Sequence, residues 1–392
     1  MKKALKKLGN YMSIIGGVII GVGIASFSMD TFEIRSVLLS GLHIGISFLV
    51  FGGLSIVLHE AGHLAGGLIT GYGFVSFRIG SWVWVKEDER IRFKVSESIV
   101  AGQCLMAPPA DFAKFRYLLY NLGGVIANLL LAAICLMLTF VLPREHILND
   151  AFFTGFLVNV LLVLTNAIPI RALTNDGANV LETLKSPDAK RGLYLLFYVN
   201  QATTQGMRYR DLDESLFVVD EQMNLNNYIT AYRVLFAAAR LYDLGCYDES
   251  IAVLDDLPIY KLPGALRLGV LAEQLSYYTI HSIDHARARE LYEHKKLQAF
   301  LNIGLPQCMR VLAAYTFFVL DNREKGRELL QNAKISLENF PNKGERIMES
   351  EYMTALEARM EALSAPPHAV EDTIDTDEIN SSDKKENENE NA

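Results

Sequence analysis

Apolar residues follow two different rhythms along this chain. In the first half they form long, nearly unbroken runs over residues 11–28, 36–58, 117–142 and 152–170. At 1.5 Å per residue, helices of this length reach most or all of the way across a hydrocarbon core of about 30 Å. From Leu181 onward the runs shorten, and apolar positions recur with the 3.6-residue period of soluble amphipathic helices. A third rhythm interrupts the first half. Residues 74–96 alternate through Phe74, Ser76, Arg78, Trp82 and Trp84, turn over Lys86 to Arg90, and alternate again through Ile91, Phe93 and Val95, which predicts a β-hairpin. Residues 101–109 (AGQCLMAPP), apolar with two prolines, are expected to be an ordinary loop in preference to a re-entrant piece screening the membrane half.

The predicted fold is therefore mainly α: a polytopic membrane helix bundle of about four spans with a small β-hairpin insertion, followed by a C-terminal soluble α-helical repeat domain. The expected division is an N-terminal membrane anchor and outer loop at 1–35, a membrane domain at 36–185 and a helical connection at 186–224. A helical domain of about seven helices follows at 225–363, and a tail at 364–392 is too polar to bury a core. One helix over residues 36–70 would measure about 52 Å, more than a bilayer needs, so a break or tilt is expected at Gly52-Gly53 or Gly66-Gly67. The helical half carries an internal period. Gly245, Ile283 and Asp321 are 38 residues apart, each followed at +5 by a small residue (Ser250, Ala288, Gly326) and at +9 by a large one (Leu254, Tyr292, Leu330). This order resembles tetratricopeptide helix pairs, whose period is about 34 residues. Such arrays build concave surfaces, so a protein or peptide partner is expected there.

Composition agrees with a mixed chain: 51% of residues are hydrophobic, and the mean hydropathy is +0.18. The net charge of −8 resides mostly in the tail, since residues 365–392 hold nine acidic residues and two lysines. The rest is nearly neutral, and nothing in it points to nucleic acid. Lys2, Lys3, Lys6 and Lys7 precede the first apolar run, and Arg78, Lys86, Arg90, Arg92 and Lys94 make the hairpin basic. Positive loops stay inside, so an uncleaved anchor is expected, in a multi-pass protein of the cell membrane with both termini cytoplasmic. Cys104, Cys135, Cys246 and Cys308 are far apart and are expected to be reduced.

The candidate chemistry lies at the end of the second run, in Val57 to Leu64 (VLHEAGHL). Four residues advance a helix by about 400°, which puts His59 and His63 on one face, where two imidazoles can hold one zinc ion. Glu60 beside them is not needed as a ligand. Its carboxylate can take a proton from a zinc-bound water of pKa about 7 and deliver it to a leaving amine, the chemistry of peptide-bond hydrolysis. A charged triplet ending a membrane span is costly and marks a functional site. Two imidazoles and a water leave a catalytic zinc site one protein ligand short. Asp176 is the candidate: Pro169 ends the fourth run and Gly177 permits a tight turn that aims the carboxylate back into the bundle.

These residues resemble the site-2 protease family of intramembrane zinc metalloproteases, over about residues 40–185. The family's three motifs appear in order as HEAGH at 59–63, GGVIAN at 123–128 and NAIPIRALTNDG at 166–177. Three departures stand out. Val125 occupies the place of a usual proline, Arg171 follows Pro169 where an apolar residue or proline is usual, and Asp176 lies ten residues after Asn166, a longer interval than usual. The resemblance implies zinc held by His59, His63 and Asp176, Glu60 as general base, and Asn128 and Asn166 lining the site to bind the substrate backbone or the oxyanion. For Asn128, an interhelical hydrogen-bonding role stands equally open. The implied substrate is a membrane-anchored protein or peptide cut at or within the bilayer, with the site toward the cytoplasm and the hairpin edge available to an extended substrate strand. The rival is a catalytically inactive, membrane-tethered helical-repeat adaptor. A carrier is disfavoured because the hydrophobic runs show no inverted repeat.

Overall fold

The computed structural model describes residues 37–87, 89–220 and 222–363. The expected anchor at 11–28 and the acidic tail lie outside the described residues. Three of the described helices are long and apolar enough to cross a membrane: Ser40–Ile69, the helical stretch within Phe112–Val141, and Ile147–Ala167. They belong to α1 (Val37–Ile69), α2 (Tyr117–Val141) and α3 (Ile147–Ala167).

Helix α1 continues unbroken through both glycine pairs. Among the described residues a Cβ on Gly52 or Gly53 would meet no neighbour, whereas the second pair and Gly62 serve contact: a Cβ on Gly62 would collide with the backbone of Gly123, one on Gly66 with the carbonyl of Leu119, and one on Gly67 with Met106. A small-xxx-small stripe thus seats α2 directly on the α1 backbone, the usual means of close helix approach where lipid removes the hydrophobic drive. On the opposite flank, Gly155 of α3 receives the ring of Phe51.

The hairpin is longer than its alternation suggested. Strand β1 (Gly73–Glu87) pairs antiparallel with β2 (Arg90–Ala107), so residues 101–107 form strand instead of the expected loop. Burial does alternate here, with Cys104 and Met106 buried beside α1 and α2 and Ala101 and Gln103 exposed, but the sequence hides it because the covered face begins with Gly102 and the open face carries the apolar Ala101 and Leu105. Register shifts flank Gly80, whose φ of +58° only glycine adopts freely, and they divide the hairpin into two parts. The distal part buries Val83 and Val85, leaves Trp82, Ile91, Phe93 and Val95 exposed, and approaches the helical half through Glu87 and Arg346, 3.8 Å apart.

The loop after α3 leads to α4 (Asp176–Leu184) and α5 (Pro187–Thr204). Helix α5 does more than connect. Its Leu193 and Phe197 share one core with Tyr72, Phe115 and Tyr120 at the membrane end and with Tyr228 and Val234 of the helical half, which makes the two halves one packed body. Beyond it lie eight described helices: α6 (Tyr228–Asp243), α7 (Tyr247–Asp255), α8 (Gly264–Ile280), α9 (His285–Tyr292), α10 (Lys295–Leu301), α11 (Pro306–Phe318), α12 (Arg323–Glu338) and α13 (Lys343–Ala362). The additional short helix is α10, which closes over Leu297 and Leu301.

The 38-residue period has a structural counterpart. Gly245, Ile283 and Asp321 all take left-handed backbone conformations, with φ of 85°, 56° and 50°, at the turns α6/α7, α8/α9 and α11/α12. The small residue five places on lies where the second helix crosses the first. Ser250 Oγ donates to Ala238 O at 2.8 Å, Ala288 is fully buried, and a Cβ on Gly326 would stand 2.6 Å from the Phe317 Cβ.

Candidate metal centre

The site forms where the cytoplasm-predicted end of α1 meets α2, the base of β2 and the start of α4. One helical turn brings the His59 and His63 rings to a centroid distance of 4.8 Å, and their Nε2 atoms lie 3.1 Å apart. Asp176, the first residue of α4, places Oδ2 3.3 Å from His59 Nε2 and 3.5 Å from His63 Nε2. His59, His63 and Asp176 can together hold a metal ion.

The protons decide whether they fit one. His63 Nδ1 lies 2.7 Å from the backbone carbonyl of Tyr120, which only accepts, so Nδ1 carries the ring proton. His59 Nδ1 lies 2.6 Å from Asn128 Oδ1; the orientation of that amide follows from its Nδ2, which donates to Ser55 O and Asn159 Oδ1. Both Nε2 atoms therefore present lone pairs, to each other and to an aspartate oxygen that is buried without a hydrogen-bond donor among the described residues. Three acceptors facing one point repel unless a cation lies among them. Their spacings match the roughly 3.3 Å between donors bonded at about 2.0–2.1 Å to one tetrahedral ion. Outer partners that fix the imidazole tautomer, as Asn128 and Tyr120 do, are the usual support of such ligands. Gly124 completes the cradle, because a Cβ there would lie 2.5 Å from His59 Nε2 and 2.6 Å from His63 Nε2.

Asp176 is aimed by its neighbour. Asn175 caps α4 by accepting from Ala178 N, accepts also from Ile170 N, and donates to Thr165 O and Ile168 O. One side chain thus ties the aspartate to the end of α3. Gly177 allows the approach, since a Cβ there would strike the Ala167 carbonyl. The turn through Thr174, at φ 49°, takes up the ten-residue interval after Asn166. Arg171 points away from the site, to Asn226 O at 2.7 Å and Glu182 Oε1 at 3.4 Å.

Glu60 is 8% exposed and lies against β2: a Cβ on Gly102 would come 2.5 Å from its Oε1, and it accepts from the backbone of Cys104. The Cys104 thiol is pushed up to about 12 by burial and by that carboxylate, and stays protonated. All four cysteines are free.

Of the two asparagines predicted to line the site, Asn128 is fully buried with its side chain engaged by His59, Ser55 and Asn159. Asn166 lies on the last turn of α3 with Nδ2 bonded to Leu162 O at 3.0 Å, and its carbonyl lies against Gly177. Sequence reasoning missed Asn159, Asn175 and Tyr120. Asn159 carries a signal, being an amide inside an apolar span, and Asn175 carries one as an Asn before a helix start. Tyr120 contributes a backbone carbonyl, which no side-chain pattern reveals.

No family model, curated protein or solved structure matches the chain.

Proposed function

We propose that this protein is a zinc metalloprotease of the site-2 protease type, hydrolysing a peptide bond in a membrane-anchored protein or peptide. The observation that supports it most is the convergence of three potential ligand atoms, on His59, His63 and Asp176, with a buried glutamate beside them. A purely structural zinc site has no use for Glu60. Zinc bound there would polarise the scissile carbonyl and supply a water acidified to a pKa of about 7. The Glu60 carboxylate would take that water's proton and carry it to the leaving nitrogen. Asn128 fixes the His59 ring, which makes positioning its role in this reading, while Asn166 remains the candidate for contact with the substrate backbone.

A substrate helix must unwind before its carbonyls are accessible, since intrahelical bonds occupy them. The hairpin passes Glu60 at Gly102, which supports reading it as the strand that such an extended segment joins. The lysine-rich first ten residues and the basic hairpin support a cytoplasm-facing site in a multi-pass protein of the cell membrane. The left-handed turns at a 38-residue spacing support reading 225–363 as a tetratricopeptide-like array that receives a protein or peptide partner.

The test compares wild type with Glu60→Gln on a membrane-anchored reporter helix, with metal analysis of both. One zinc per chain in each and cleavage by wild type alone is expected. Equal cleavage by the two would refute the enzyme reading. Bound iron would point instead to the oxygen chemistry that the same donor set supports.

A further inference from the structure

The helical half contains a cavity of about 450 Å³, a volume typical of ligand pockets. Its walls come mainly from α6, α8 and α11, the first helix of each of the three hairpins, and from α13. This is the inner surface of the stack. Aromatic rings dominate one side: Tyr209, Tyr232, Phe236, Tyr242 and Tyr352. The charges are unbalanced. Glu273, Glu345 and Glu349 face a single cation, Arg310. Arg310 is itself committed, through Nε to Glu349 Oε2 at 2.6 Å and Nη2 to Glu349 Oε1 at 3.1 Å. Its guanidinium also lies 5.3 Å from the centre of the Tyr352 ring.

Two carboxylates are thus left without an ionic partner of their own. Among the described residues Glu345 accepts from the neutral amide of Asn342, at 2.9 Å, and Glu273 is an exposed residue on the cavity wall. A compact body tolerates such an excess where a cation completes it, and aromatic faces add attraction for the same charge. The opening along the inner helices suits an extended chain more than a small ion, and its aromatic and aliphatic lining suits the stem of a long side chain.

We infer that this cavity receives the lysine or arginine side chain of an extended polypeptide segment, held between Glu273 and Glu345 over the aromatic wall. The site is separate from the metal centre. It makes the helical half a receptor for basic segments and does not require that the protein be a protease.

Full-length Glu60→Gln protein in detergent tests this by fluorescence anisotropy, with binding read in the absence of cleavage. The probes are two labelled peptide pools, Ala-X-X-Lys-X-X-Ala and the same with norleucine for lysine, X being a mixture of Ala, Leu, Ser and Gly. The lysine pool is expected to bind at least about tenfold more tightly, and Glu273→Gln and Glu345→Gln each to lose about tenfold while Glu324→Gln, an exposed control, loses nothing. A cooperative melting transition in each variant establishes that it is folded. Equal affinity for the two pools, or no loss in both cavity variants, would overturn the inference. Competition by spermidine as strong as by the lysine peptide would overturn its polypeptide part.

Discussion

The two halves of this chain both bring helices into close contact, but by different means. In the membrane half the contact is backbone on backbone: Gly62 against Gly123 and Gly66 against Leu119, with polar atoms gathered into one chain running from Asn159 through Asn128 to His59. In the helical half glycines also lie on backbone, Gly192 on Ile229 and Gly344 on Met207, and Gly326 admits the Phe317 side chain, but broad apolar clusters surround these contacts. Without water to drive apolar contact, the membrane half depends on fit and hydrogen bonds, whereas the helical half depends on burial. A methyl group added in either half should therefore damage different properties.

Gly124→Ala is the harshest break. Its Cβ would occupy space against both Nε2 atoms, so metal content should fall from one ion per chain to nearly none, while the helical half retains its melting transition. Metal analysis beside calorimetry checks this, and retention of a full equivalent would show that the cradle is looser than drawn. Asn128→Ala comes next. The His59 tautomer loses its outer partner, and metal affinity should drop about 10- to 100-fold, as read by competition with a chelator. An unchanged affinity would leave Asn128 as interhelical support alone.

Gly326→Ala sharpens the comparison from the other side. Overpacking against Phe317 should destabilise the helical half by about 1–3 kcal/mol without altering metal content. The smallest effect concerns pH. Burial and the neighbouring Glu349 push the Glu345 carboxyl from an ordinary 4.5 up to about 7. Over that interval the folded state holds a proton that the unfolded chain has released, so stability declines as pH rises from about 4.5 to 7. Thermal melts of wild type should show this decline and those of Glu345→Gln a shallower one; parallel profiles would remove the buried carboxylate from the account.

The three described apolar helices and the imidazole pair were legible because they rest on local spacing: 3.6 residues per turn fixes His59 beside His63 whatever the surroundings. The 38-residue period was legible for the same reason, since each repeat sets its own turn at Gly245, Ile283 or Asp321. What stayed hidden depends on contacts distant in sequence. The strand at 101–107 covers one face against α1 and α2, but Gly102 on that face and the apolar Ala101 and Leu105 on the other erase the alternation from the sequence. The Gly66-Gly67 pair of α1 looks like a break until α2 is seen lying on Gly62 and Gly66. The Tyr120 carbonyl that orients His63 belongs to the backbone and leaves no mark in the sequence. Asn175 was visible as a turn residue, but its four hydrogen bonds, which aim Asp176, appear only once α3 and α4 are placed together.

The most direct measurement is the zinc content of purified wild-type protein beside that of Asp176→Ala. One zinc ion per chain, lost on substitution, is the predicted result. A wild type without bound metal, or a variant that retains the same amount, would contradict a centre shared between α1 and α4.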